Sequence, residues 1–289
     1  MADKNHSMNR ISAFREWEIY LSQYLHILFG NKKNLIVSML FPVLAATIVI
    51  WIAGENMFVH YDGTKSGSFV IVSAAIWGGL FNSITTVVKE RANVKRDFVT
   101  GARVSSYMLS RAFVQFLLCA VQSLILTFSY YGIRICYDNH LPDTGIIFYT
   151  PIVEFYVSIL LLTFAADAMG LMISCIVHKE ETANVLAPYI LIVQLIFSGI
   201  LFAMDGLADY VSYFMISRWG MEALGCISRL NDLQLKIQMS VPTVPHDFEE
   251  RFEATSEHLC WVWGILLLFS LVFIVIGNIL LHRVFKDHT

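Results

Sequence analysis

The sequence predicts an all-α integral membrane protein in which an N-terminal amphipathic helix precedes six transmembrane helices. Three observations carry this. Of 289 residues, 56% are hydrophobic and 15% charged, with a mean hydropathy of +0.61, whereas soluble domains carry roughly 25% charged residues. The apolar residues gather into runs of about twenty, the length that crosses roughly 30 Å of hydrocarbon. Lys and Arg, finally, fall unevenly on the two sides those runs define.

Residues 1–34 form a polar or amphipathic segment with no signal peptide, because the first apolar run is too long and wrongly flanked for cleavage. Within it, residues 10–30 place Ile11, Phe14, Ile19, Leu21, Tyr24, Leu25 and Leu28 on one broad face and most charges elsewhere. That pattern suits a helix lying in the headgroup plane, or one packed on a soluble partner. Residues 35–289 make the membrane domain, with spans expected at about 35–54, 68–88, 107–133, 152–177, 183–204 and 259–282.

An even number of spans puts both termini on one side. With that side cytosolic, fourteen of twenty Lys and Arg lie inside, leaving Lys65, Arg134, Arg218, Arg229, Lys236 and Arg251 outside. The positive-inside rule therefore orients the chain with cytosolic termini. The longest polar insertion, about 205–258, is then external, as either a small folded cap or a mobile loop. Arg218 and Glu222 within it are spaced for an i,i+4 pair.

Five cysteines show no metal-ligand spacing. Cys119 and Cys175 sit in apolar runs and read as reduced hydrophobes, while Cys136, Cys226 and Cys260 near the outer surface leave one disulfide open. No GxxxxGK[ST] phosphate cradle exists, so no ATPase site is expected in this sequence. Asp62 to Lys65, DGTK, reads as an exposed turn between the first two spans. Leu141 to Gly145, LPDTG, reads as an outer turn joining the third and fourth. No paired catalytic carboxylates, HExxH or Ser/His/Asp pattern stands at a plausible depth. Asp167, near the bilayer centre, calls for a partner or a role, with Thr163, Gln115 and Gln122 as candidate partners.

The cytosolic stretch from Val87 to Arg111 is dense in charge yet carries Phe98, Val99, Val104 and Tyr107. It reads as a short amphipathic helix pressing on a soluble partner, or as a positive-inside anchor. Here the sequence resembles the membrane domain of the G subfamily of ABC transporters and the bacterial type-2 ABC permeases. The matching residues are Lys89-Glu90 closing the second span, Arg103-Val104-Ser105-Ser106-Tyr107 opening the third, FSGILF at Phe197 to Phe202, and YVSYFMISRWGMEAL at Tyr210 to Leu224.

The resemblance implies a type-2 ABC exporter fold: an N-terminal connecting helix, a coupling helix over about 90–106, and outer re-entrant helices followed by an Arg-aromatic-Gly turn. It implies an ATPase in trans that binds ATP and Mg, a second permease protomer, surrounding lipid, and a bacterial cytoplasmic membrane. Carried over by position, Glu90, Arg91, Lys95 and Arg96 would contact the ATPase, and Ile200 and Leu201 would form a valve. Trp77, Phe81, Asn82, Leu191, Gln194, Leu195 and Phe197 would line a substrate cavity on the dimer axis. Such a wall suits an amphipathic or hydrophobic substrate. A non-transporting scaffold and a proton-driven carrier using Asp167 are the competing functions. No nucleic-acid partner is expected.

Overall fold

The computed structural model describes residues 12–139, 142–202, 204, 206–240 and 248–286. Among them it forms eleven α-helices, one short 3-10 turn and no strand: α1 Ala13–Gly30, α2 Lys32–Ala53, α3 Tyr61–Ser83, α4 Thr86–Val99, α5 Val104–Tyr137, α6 Pro151–Ile176, α7 Glu180–Ile196, α8 Leu207–Ser212, α9 Ile216–Ile227, α10 Leu230–Ser240 and α11 Ser256–Lys286. Five stretches are long and apolar enough to cross a membrane: Leu35–Ala53, Tyr61–Val99, Val104–Tyr137, Pro151–Ile176 and Ser256–Lys286. The fifth expected span, α7, has 17 residues, about 26 Å of helix.

Helix α6 is the axle of the bundle. It packs on α3, α5, α9 and α11 and is buried along most of its length. The close approach of α3 and α6 depends on small residues: a side chain on Gly79 would strike the Thr163 carbonyl, and one on Gly170 would strike Ser83 Oγ and the Leu80 carbonyl. At that crossing Ser83 Oγ donates to the Asp167 carbonyl at 2.6 Å. In a bilayer, where lipid is as apolar as leucine, such small-residue contacts bring backbones together. Helices α2 and α11 lie at the periphery and expose Ile48, Trp51, Leu268 and Leu271, as lipid-facing surfaces do.

Several local expectations change. DGTK is the first turn of α3 and not an exposed turn. Thr64 is fully buried there and accepts from Phe58 N while donating to the His60 carbonyl, both at 2.8 Å, and Asp62 in the first turn favours the helix dipole. The second apolar stretch breaks at Ile84 and Thr85, so the expected coupling helix spans 86–99. It does not continue to 106 because Gly101, with φ +101, turns the chain. Arg218-Trp219-Gly220 is helical, within α9. Every residue of α9 except Arg218 is buried, and Gly220 leaves room for Leu162. The long polar insertion is thus folded over its described part; Pro242, Pro245 and the rest of 241–247 lie outside the described residues, as do Ile11 and Leu141.

Helix α1 turns part of the expected face inward, with Tyr24 buried and Leu21, Leu25 and Leu28 half-buried, and adds Tyr20 to it. Its buried residues are Tyr20 and Tyr24, set against α5, while Phe14 and Ile19 are exposed. Hydrogen bonds explain the choice: Tyr20 Oη donates to Asp97 at 3.4 Å and Tyr24 Oη accepts from Gln115 Nε2 at 2.9 Å. All five cysteines are unpaired, and Cys226 is buried with Sγ 3.0 Å from the Glu253 carbonyl.

Candidate functional site

One end of the bundle is tied by a buried ion pair. Glu90 on α4 accepts from Arg111 on α5 at 3.1 Å through Nε and 2.5 Å through Nη2, and from Tyr107 Oη at 2.9 Å. Arg111 is 1% exposed and Glu90 17%. The guanidinium lies 4.0 Å from the Tyr24 ring centroid and 4.6 Å from that of Tyr107, and Nη1 donates to the Tyr20 carbonyl at 3.4 Å. One cation therefore fastens α1, α4 and α5 together. Burial, with Asp97 beside it, pushes the Tyr20 phenol up to about 12, so at neutral pH it stays a donor. Glu16 on α1 accepts from Arg103 N at 3.3 Å, which adds a second tie between α1 and the start of α5.

Glu90 thus faces inward, while the cations of α4 differ from each other in their surroundings. Arg91 Nη1 donates to the Val177 carbonyl at 2.6 Å. Lys95 is half-buried. Arg96, 75% exposed and 3.8 Å from Asp97, faces solvent.

Directly above the ion pair lies a cavity of about 730 Å³ between α1, α2, α3 and α5. Trp77 and Phe81 stack in its wall, with centroids 5.5 Å apart and planes at 13°, and Phe41 continues the aromatic surface 6.4 Å from Trp77. A polar relay crosses the same wall. Ser38 Oγ donates to Asn82 Oδ1 at 2.9 Å, Asn82 Nδ2 donates to Gln122 Oε1 at 2.7 Å, and Gln122 Nε2 donates to the Ser38 carbonyl at 3.1 Å. Lys89 and Glu90 complete the lining. The result is an aromatic chamber with a few fixed amides and a charged end, the composition of sites that hold small amphiphiles.

Of the expected wall residues, this cavity gathers Trp77, Phe81 and Asn82 only. Leu191, Gln194, Leu195 and Phe197 sit elsewhere, on or just past α7. Leu191 is fully buried, and Gln194 Oε1 accepts from Ser217 N at 3.2 Å while its backbone carbonyl accepts from Ser217 Oγ. Within one copy of the chain, Gln194 binds α7 to α9. Ile200 packs on the core, while Leu201 and the following Phe202 are exposed. The turn that carries them needs Gly199, with φ +76, whose carbonyl accepts from Arg251 Nη1 at 3.2 Å.

Asp167 is fully buried, and neither carboxylate oxygen has a hydrogen-bond partner. Its suggested partners are engaged elsewhere: Thr163 donates to the Ile159 carbonyl, Gln115 to Tyr24, and Gln122 to Ser38. The Arg218–Glu222 pair is present at 3.9 Å, but Arg218 bonds more closely to Asp209, at 2.5 Å, and stacks on Tyr213.

The bonding of Arg111 and Tyr107 to Glu90 is what sequence reasoning passed over. Their signal was available, because an arginine inside an apolar span demands a counter-charge, and Tyr107 stands four residues before it on the same helix face.

A bundle of membrane-length helices, with an open aromatic cavity bordered at one end by a clamped ion pair, is that of a multi-pass membrane protein. The chain belongs to the ABC-2 type transporter family, whose pattern matches residues 15–225, from α1 through most of α9. It is similar to an ABC transporter ATP-binding/permease protein of Mycobacterium tuberculosis, at 22% identity over 276 residues. That alignment covers 92% of this chain and 30% of the relative, so the chain spans less than a third of that protein's length. The chain is accordingly a permease-type membrane component of the ABC transporter family.

Proposed function

We propose that this chain is the permease of an ATP-driven exporter that moves an amphipathic or hydrophobic substrate outward by alternating access, powered by an ATPase on a separate chain. One observation carries the reading: Lys89 and Glu90 of α4 line the same cavity as Trp77, Phe81 and Asn82. Hydrolysis takes place on the ATPase, where ATP and Mg are bound; this chain supplies the lever and the chamber. The exposed part of α4, with Arg96, receives the push of the ATPase. The Glu90–Arg111 pair passes it to α5 and α1 as a rigid unit, because a buried, doubly hydrogen-bonded pair resists separation. Movement of α4 then reshapes the end of the cavity it lines.

A second copy of the chain packs against the exposed apolar face of α7, where Tyr189, Ile192 and Val193 stand. Release passes Ile200 and Leu201, and both termini are cytosolic in a bacterial cytoplasmic membrane. The reading is tested by reconstituting the chain with its ATPase in nanodiscs and comparing wild type with Glu90→Lys. Wild type should show hydrolysis stimulated by substrate, and the variant should insert normally yet lose the stimulation. Unchanged stimulation in the variant would remove the coupling role.

A further inference from the structure

A further pocket, of about 400 Å³, lies along α4 and shares only Lys89 with the cavity of the transport reading. Its lining comes from three places: Lys89, Arg91 and Lys95 from α4, His178 from the turn between α6 and α7, and Val284 and Phe285 from the end of α11. Val88 and Ala92 complete an apolar floor. Arg91 is held in place by its Nη1 bond to the Val177 carbonyl, and its Nη2 is buried with no hydrogen-bond partner. No acid is among the lining residues, and Glu180 lies 3.8 Å from Lys89 with both side chains half-exposed. Cations outnumber acids in the pocket, and one guanidinium donor is desolvated and unused.

The position decides what fits. The end of α6, the end of α11 and the start of α4 meet where apolar helix gives way to charge, which is the headgroup level of a bilayer in either orientation. A phosphate accepts from a fixed guanidinium and nearby ammonium groups, and glycerol and acyl carbons suit the apolar floor formed by Phe285, Val284 and Val88. We infer that the structure assigns this pocket to the phosphate headgroup of an anionic phospholipid, which would bridge α4 to α11 and to the α6–α7 turn. Basic pockets of this kind between helix ends recognise lipid phosphates.

The test reads binding alone, so its failure leaves the transport reading untouched. The purified chain is equilibrated with equal amounts of phosphatidylglycerol and phosphatidylcholine, and retained lipids are counted by native mass spectrometry. Wild type should retain phosphatidylglycerol preferentially. Each cation contributes about a fivefold preference, so Arg91→Gln with Lys95→Gln should lower it about 30-fold. Arg96→Gln, a charge loss on the same helix outside the pocket, should leave the preference unchanged. Equal retention of the two lipids by wild type overturns the assignment, whatever the variants do. So does an equal loss in Arg96→Gln. Displacement of the lipid by excess inorganic phosphate would make the site one for free phosphate, and a preference seen only with an ATPase bound would make it a protein-docking patch; either result refutes the lipid.

Discussion

Replacing Arg111 with Met keeps the length of the side chain and removes the charge that holds α1, α4 and α5. What is lost can be counted: two hydrogen bonds to Glu90, one to the Tyr20 carbonyl, and two ring contacts at 4.0 and 4.6 Å. What remains is Glu90, 17% exposed, with only Tyr107 as donor among the contacts described. Breaking a buried pair from one side costs about 3–5 kcal/mol, and the partial exposure of Glu90 places the expectation near the lower end. Glu90→Gln leaves Arg111, 1% exposed, without a counter-charge, and about 3 kcal/mol is expected again. The double variant removes both charges, so its loss should fall short of the sum by about 2 kcal/mol. The assay is reversible unfolding in mixed detergent micelles for wild type, both single variants and the double variant. Losses that add to within about 0.5 kcal/mol would show that the two groups do not act on each other, and the account of the lever would fail.

Other outcomes follow from single sites. Asp167→Asn keeps the shape of a buried group whose oxygens have no partners, so stability should hold or rise; a loss above about 2 kcal/mol, the scale of an unmade buried contact, would reveal a partner for the carboxylate. Gly199→Ala should lose about 1–3 kcal/mol from its left-handed φ and the approach of Arg251, whereas Gly30→Ala, with open space around it, should not; equal thermal shifts for the two would refute this. Burial alone would push the Glu249 carboxyl up, but the Tyr61 hydroxyl, Arg251 and Lys65 outweigh it and hold it below the ordinary value. A lowered folded pKa gives stability that is complete above the unfolded pKa, about 4.3, and is lost as pH falls through the folded one. The melting difference between wild type and Glu249→Gln should therefore shrink on acidification below about pH 4, and a gap that widened would contradict the clasp.

Much of the architecture was legible because hydropathy and charge are properties of composition. The apolar runs gave α2, α5, α6 and α11 to within a few residues, and the charged stretch after Lys89 announced α4. Boundaries set by side-chain partners were not legible. Nothing in the apolar pattern marks the break at Ile84 and Thr85, and DGTK looks like a turn until Thr64 is seen buried against Phe58 and His60. The inward face of α1 was legible at Tyr24 and missed at Tyr20, whose hydroxyl donates to Asp97, far along the chain. Within one copy of the chain Trp77, Phe81 and Asn82 share a cavity, while Gln194 bonds Ser217 of α9, a contact that spacing along α7 does not reveal.

Transport by the lever and chamber is tested most directly in inside-out vesicles that carry the chain with its ATPase, by following the ATP-dependent uptake of fluorescent amphiphiles. The account predicts uptake that requires ATP and falls at least tenfold, or about 1.4 kcal/mol, when Trp77 and Phe81 are both changed to Ala. Uptake that persists without ATP would shift the function to a carrier working through Asp167, and no uptake of any amphiphile despite a stable ATPase complex would leave a scaffold.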